Sequence, residues 1–342
     1  MRRRDFITLL GGMAGAFPRL AFAQDRQRPV IGFLSSGSRN NDAFGAFVAA
    51  FQRSLREQGY DEQRNVSIEY RWADGHNERL GALAMELAQM RVKLIAATGG
   101  VPSARAAISA ASNMTPPIPV VFVVGPDPGP SGVKLVASLS RPGGFATGAT
   151  LFSTSIATKR LETLANALQL ERSTMTVGVI ASAQSAGAEV ELEAMREAAV
   201  AMNAMYGSKI DILPLMASDQ DTIDAAFELA SRQKVTALLV SADPFFTLRK
   251  EQIITLARSH KIPTMYPWRE YVMAGGLMSY GAELSWGYGV IGEYAGRILK
   301  GAKPMDLPVQ QPTKFDFTVN MKAVKALGLE ISSKALPDEV IQ

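Results

Sequence analysis

Few side chains in this 342-residue chain could do covalent or metal chemistry: there is no cysteine, and the only histidines are His76 and His260. Without cysteine there is no disulfide, no thiolate nucleophile and no thiolate-held metal. His76 opens a polar helix start, and His260 stands beside Lys261 at a helix end, where a cation suits the helix dipole. Two isolated histidines cannot complete a zinc site or a Ser-His-Asp arrangement. Ser131 and Lys134 have the S-x-x-K spacing of an acylating serine, but the companion motifs S-D-N and K-T-G are missing, so the stretch reads as a turn. Glycine-rich fingerprints for dinucleotides and nucleotide phosphates are absent too. The carboxylates are scattered, with no acid–base pair in a shared motif. The sequence therefore calls for no metal and no cofactor.

What remains is a set of polar residues that each follow a short apolar run. Ser35 and Ser36 follow "PVIGFL", Thr98 and Gly99 follow "VKLIAA", and Asp127 follows "IPVVFVV". Later in the chain Ser182 and Ser185 follow "TVGVIA", Asp243 follows "ALLVSA", Tyr266 ends "IPTMY" and Tyr280 ends "GLMSY". Hydroxyls and the amides at a helix start suit a carboxylate, Asp127 or Asp243 suits an ammonium, and aromatic faces suit an apolar body. Any one of these residues could equally be capping a loop. The set matters only if the fold gathers the run ends in one place.

The elements around them say that it does. Val120 to Val124 are five apolar residues in a row, the mark of a strand covered on both faces, and Pro126, Pro128 and Pro130 stop it. Before it, strand-like runs alternate with helical stripes such as Phe44, Phe47, Val48, Phe51 and Leu55. From Thr154 the same rhythm restarts and runs to about residue 281. "DPFFTLRKEQIITLARSHK" reads as one helix within it. Strands separated by helices of this length build parallel sheets through right-handed crossovers. The fold class is α/β, in two halves of similar plan. Ligands in such sheets bind beyond the carboxyl ends of the strands, so two facing edges would form a cleft.

The first 23 residues stand apart. A basic start, an apolar run from Phe6 to Phe17 and Ala21-Phe22-Ala23 have the layout of a cleaved export leader, and Arg3-Arg4-Asp5-Phe6-Ile7 resembles the twin-arginine pattern. Cleavage after Ala23, with no cysteine for a lipid anchor, would release the chain into the periplasm. Four arginines leave with the leader, so the remaining charge is nearly balanced and gives no nucleic-acid footprint.

"IGFLSS", "LREQGYDEQRNVSIEYRWADG", "RPGG" followed by "TG", "KRLETL", "IPTMYPWREYVMAGGLMSYG" and "ILKGAKPMDLPVQQPTKFDFTVNMKAVKALGL" together resemble the substrate-binding proteins of ABC transporters with type I periplasmic-binding-protein architecture. That family includes tryptophan- and tyrosine-binding members. The resemblance implies two Rossmann-like lobes with parallel sheets joined by three hinge crossovers, the lobes covering 24–148 plus 282–308 and 149–281 plus 309–342. The crossings would fall after "RPGGFATG", near Tyr280–Ala282 and near Leu307–Pro312. It also implies a monomer that captures a small ligand, an amino acid or related molecule, and hands it to an inner-membrane permease. Ser35, Ser36, Thr98, Gly99 and Asp127 are the expected contacts on the first lobe, and Ser182, Asp243 and Tyr280 on the second. Two departures bear on the ligand: Phe145 stands where similar sequences usually carry Asn, and "ASAQSAG" replaces a common Asn-Pro. Rival readings are a periplasmic ligand sensor for a signalling receptor, which shares every feature named, and a periplasmic enzyme, which lacks its chemistry.

Overall fold

The computed structural model describes residues 28–39, 42–170, 174–183, 185, 187–207, 209–333 and 335–342; the expected leader lies outside them. The first lobe starts with β1 (Val30–Ser35), α1 (Asp42–Glu57), β2 (Ser67–Trp72) and α2 (Leu80–Gln89). It continues with β3 (Leu94–Thr98), α3 (Val101–Ser112), β4 (Val120–Val124) and β5 (Ala146–Thr150). These strands form a five-stranded sheet in the order β2-β1-β3-β4-β5, every pair parallel. β3 and β4 are buried at every position, which is why their sequences are apolar without alternation.

The second lobe contains α4 (Ala157–Ala167), β6 (Thr174–Ser182), α5 (Ala188–Tyr206), β7 (Lys209–Ala217), α6 (Gln220–Arg232) and β8 (Ala237–Val240). α7 (Pro244–Leu248), α8 (Lys250–Ser259), β9 (Thr264–Tyr266), α9 (Arg269–Met273) and β10 (Met278–Gly281) follow. After α10 (Leu284–Leu299) come β11 (Asp316–Asn320), α11 (Met321–Leu327) and β12 (Glu339–Ile341). The sheet is seven-stranded, β12-β11-β10-β9-β8-β6-β7, parallel except where β11 runs against β10.

Two elements differ from the sequence reading. "RPGGFATG" leads into a fifth strand rather than directly into a crossing, and β5 was hidden because Ala146–Thr150 contains no large apolar residue. The expected single helix over 243–261 is two: Arg249 leaves helical geometry (φ −104°, ψ 19°), so α8 sets off in a new direction.

The chain crosses between sheets three times: from β5 to α4, from β10 to α10, and from Gln310 to β11. α10 belongs to the first lobe by packing. A Cβ at Gly292 would lie 2.3 Å from the Phe51 carbonyl oxygen, so glycine lets α10 press directly on α1. The third crossing lies along β5, where Thr147 Oγ1 donates to the Leu307 carbonyl (2.6 Å) and the Gln310 amide to the Gly148 carbonyl (2.9 Å). One buried apolar cluster runs from Phe47 and Phe51 through Tyr288 and Trp268 to Phe227 and Ile253, so it passes through both lobes.

Candidate functional site

A cavity of about 270 Å³ lies between the two sheets, at the carboxyl ends of their parallel strands. The first lobe contributes Gly99 and Gly100 after β3 and Val123 to Pro126 at the end of β4. The second contributes Ala242, Asp243 and Pro244 after β8, Thr247 of α7 and Trp268 after β9. Phe44, Leu284 and Tyr288 add apolar surface from α1 and α10. Around it the lobes touch: a Cβ at Gly100 would meet Pro244 Cγ at 3.0 Å, and one at Gly187 would meet Pro126 Cγ at 3.7 Å. The arrangement is closed.

Among the described residues, Asp243 is the only carboxylate that lines the cavity. It caps α7, with Oδ1 accepting from the Phe245 amide at 2.8 Å, and Pro244 fills the first helical position. Burial raises its carboxyl above the ordinary aspartate range, and the Phe245 amide and the Ser185 hydroxyl only partly offset that. No Lys, Arg or His pairs with it among the described residues. On the opposite wall Arg105 of α3 lines the cavity and donates from Nη2 to the Val133 carbonyl (2.8 Å), its other donors having no partner among the described residues. Burial also pushes up the Tyr288 phenol, and the nearby Thr98 side chain and Gly99 backbone only partly offset that. Its ring stacks on Phe47 (5.1 Å between centroids).

The structure brings together Ser36, Gly99, Ser182 and Asp243, which line a small recess of about 20 Å³, room for a single water. Ser36 Oγ donates to the Gly99 carbonyl at 2.6 Å. Gly99 has φ +78°, and a Cβ there would sit 2.2 Å from Ser36 Oγ, so only glycine fits. Thr98 and Ser35 lie one layer behind, fully buried; Ser35 Oγ accepts from the Gly37 amide (3.1 Å). Asp127 lies just past the lining residue Pro126, and its carboxylate is used within its own loop, accepting from the Gly129 amide (2.8 Å) and Ser131 Oγ (2.7 Å). Tyr280 does not line the cavity; it stacks on Phe315 at 6.4 Å. Trp268, Tyr288, Phe44 and Arg105 were not singled out from sequence. Trp268 follows β9 as the others follow their strands, and could have been found by that rule. Tyr288 and Arg105 sit inside helices, which the rule does not reach.

Two lobes closing over an apolar cavity with one half-buried carboxylate define a ligand-binding protein of the periplasmic type. The chain belongs to the ABC transporter substrate-binding protein family, whose family model matches residues 37–340. Family and fold are those of extracytoplasmic substrate-binding proteins, not enzymes, and imply a small-molecule ligand and an ABC permease as partner. No curated protein matches closely enough to count as a relative. Among solved structures, a Streptococcus pneumoniae ABC domain in complex with L-Trp is 23% identical, with TM-score 0.77, over 91% of this chain and 100% of its own. A conserved domain protein from Vibrio cholerae is 23% identical, with TM-score 0.78, over 92% and 99%. A ligand-free, open substrate-binding protein with adhesive properties from Clostridium difficile is 24% identical, with TM-score 0.64, over 92% and 99%. At these identities the likeness is one of fold. Among the described residues no helix is long and apolar enough to cross a membrane, and no three acidic or histidine side chains gather as a metal site.

Proposed function

We propose that this chain is the solute-binding component of an ABC importer and that its ligand is a zwitterion with an apolar body, an amino acid or close analogue. The observation that carries the ligand class is Asp243, a carboxylate in a mostly apolar cavity with no cation paired to it among the described residues. An ammonium on the ligand would supply that cation in a place where water is largely excluded. The ligand's carboxylate would meet the N-terminal turn of α3, which lines the cavity through Val101 and Pro102, and Arg105 one turn on. Phe44, Trp268, Leu284 and Tyr288 would pack on its side chain, and a side chain matched to them is apolar or aromatic, as the L-Trp complex of the pneumococcal relative also suggests. The protein works as an exported monomer, its lobes closing on the ligand and presenting the closed form to the permease.

Thermal melting with a panel of amino acids, their decarboxylated amines and their deaminated acids tests this. A ligand at about 100 times its dissociation constant adds about 2.7 kcal/mol, which at this size shifts the melting temperature by several degrees. Shifts from one or more apolar amino acids, lost on removal of the amino group, are expected. Shifts confined to acids or sugars would overturn the zwitterion assignment.

A further inference from the structure

We infer that the second lobe holds another binding site, outside the interlobe cleft, for a compact apolar molecule ending in a carboxylate. A cavity of about 280 Å³ opens between α8, α11 and the turn at Gly275–Leu277, as large as the interlobe cavity and sharing no lining residue with it. Ile254, Ile262, Tyr266, Leu277, Ala323 and Leu327 give it an apolar wall.

The wall is held open by contacts that cannot easily collapse. The Tyr266 ring is stacked on Tyr271, 4.9 Å between centroids and 16° between planes. On Tyr266 rests Gly276, where a Cβ would lie 2.6 Å from the ring and 2.8 Å from the Tyr271 carbonyl, so the backbone lies flat on the aromatic floor. The far wall is tied down by Asn320, whose Oδ1 accepts from the Lys322 amide (2.9 Å) and the Ala323 amide (3.2 Å) while Nδ2 donates to the Val272 carbonyl (3.4 Å).

Most interior polar groups are already used: besides Asn320, the Thr264 hydroxyl donates to the Ile262 carbonyl (2.9 Å). Apart from the Tyr266 phenol, a sugar or polyol would find few partners there. At the mouth the position is reversed. Arg258 and Lys322 both line the cavity, and neither side chain has an acidic or hydrogen-bonding partner among the described residues. Arg258 in the last turn of α8 complements its own helix dipole, but Lys322 in the first turn of α11 works against its dipole, so helix electrostatics does not account for the pair. An apolar interior with two unpaired cations at its mouth selects an amphipathic anion, and the guanidinium fork matches a carboxylate. The volume sits at the lower end of ligand sites, which favours a medium-chain fatty acid or an aryl acid over a phospholipid.

The test uses the full exported chain and sodium octanoate as probe, followed through methyl resonances of Ile254, Leu277 and Leu327. Saturable shifts of these methyls are expected with octanoate, at least tenfold weaker binding with n-octanol, and none with octylamine. The exposed pair Arg258→Gln and Lys322→Gln should weaken octanoate binding at least tenfold, and Ala323→Phe, which fills the cavity, should abolish it. Both variants should keep the parent's far-ultraviolet circular dichroism spectrum and cooperative melting, which shows that they fold. Octanoate shifts confined to Val123, Leu151 and Leu284 of the interlobe cavity, or binding indifferent to both variants, would overturn the site. Cation-dependent sedimentation with phosphatidylglycerol vesicles, without octanoate binding, would overturn it in favour of a membrane surface.

Discussion

Asp243 is subject to opposing demands. In the empty cleft burial raises its pKa, so the folded state holds its proton more tightly than the unfolded chain does. The stability this proton linkage brings is fully present below the unfolded aspartate pKa and is lost as pH rises through the higher folded value. As pH rises through that value, Asp243 therefore destabilises the closed, ligand-free form. Asp243→Asn keeps an oxygen to accept from the Phe245 amide and removes the charge, so the ligand-free variant should melt above the parent at pH 7, with the gap closing as pH falls through the Asp243 pKa. The same change should weaken binding of a cationic ligand by roughly 1.5–3 kcal/mol, the worth of a charge-assisted hydrogen bond. A variant that melts lower and binds unchanged would show that Asp243 is only a helix cap. The Arg160–Glu191 pair (3.0 Å, 1% and 7% exposed) is the opposite case, because both charges are present. Arg160 also donates to the Val240 carbonyl at the end of β8, just ahead of Asp243. Arg160→Met leaves a buried, unpaired Glu191 and should cost about 3–5 kcal/mol in urea unfolding, and adding Glu191→Leu should restore most of it. No recovery in the double variant would mean that the hydrogen bond to Val240, not charge balance, holds this corner. Asp243 was legible from sequence because it follows an apolar run and precedes a proline. Asp127 has the same signature, yet it serves its own loop, because only three-dimensional structure shows which amides a carboxylate can reach.

At the scale of elements, legibility followed side-chain size. Strands built of Val, Ile and Phe, such as Val120–Val124, announce themselves, while β5 is written in Ala, Thr and Gly and needs the carbonyl of Phe122 beside Gly148 to explain its composition. The α7–α8 break carried no proline or glycine to mark it. α10 shows what such small residues are for. It follows β10 in sequence yet packs on the other lobe, and that packing depends on Gly292 and Gly296, which allow contact with Phe51 and Gln58. Gly292→Val would drive its side chain into the Phe51 backbone, where no rotamer change can relieve it. It should lower stability by about 1–3 kcal/mol through overpacking, or by more if α10 lifts away. Equilibrium urea unfolding reads this directly. An unchanged midpoint would mean that the helices slide apart freely and that the close approach contributes nothing.

The whole molecule is a pair of sheets whose buried apolar cluster is continuous through Tyr288 and Trp268, the residues that also line the cleft. Closure and ligand binding therefore use the same surfaces, and a residue that touches the other lobe without touching the ligand can separate the two. Leu248 is such a residue: a Cβ at Gly75 in the first lobe would lie 3.4 Å from its Cδ1, and Leu248 is absent from the main cavity lining. Leu248→Trp adds bulk that an open form can accommodate and the closed form cannot. Overpacking of about 1–3 kcal/mol, felt only in the closed state, lowers ligand affinity by about 5- to 150-fold, because a ligand that favours closure must first overcome that difference. The ligand-free melting temperature should hardly move, and small-angle scattering at saturating ligand should show a larger radius of gyration than the parent's. Equal loss of ligand-free stability would place Leu248 in the core of its own lobe instead. Unchanged affinity and radius would mean that the lobes bind without meeting along this edge, and the closed contact at Gly75 would then have no part in capture.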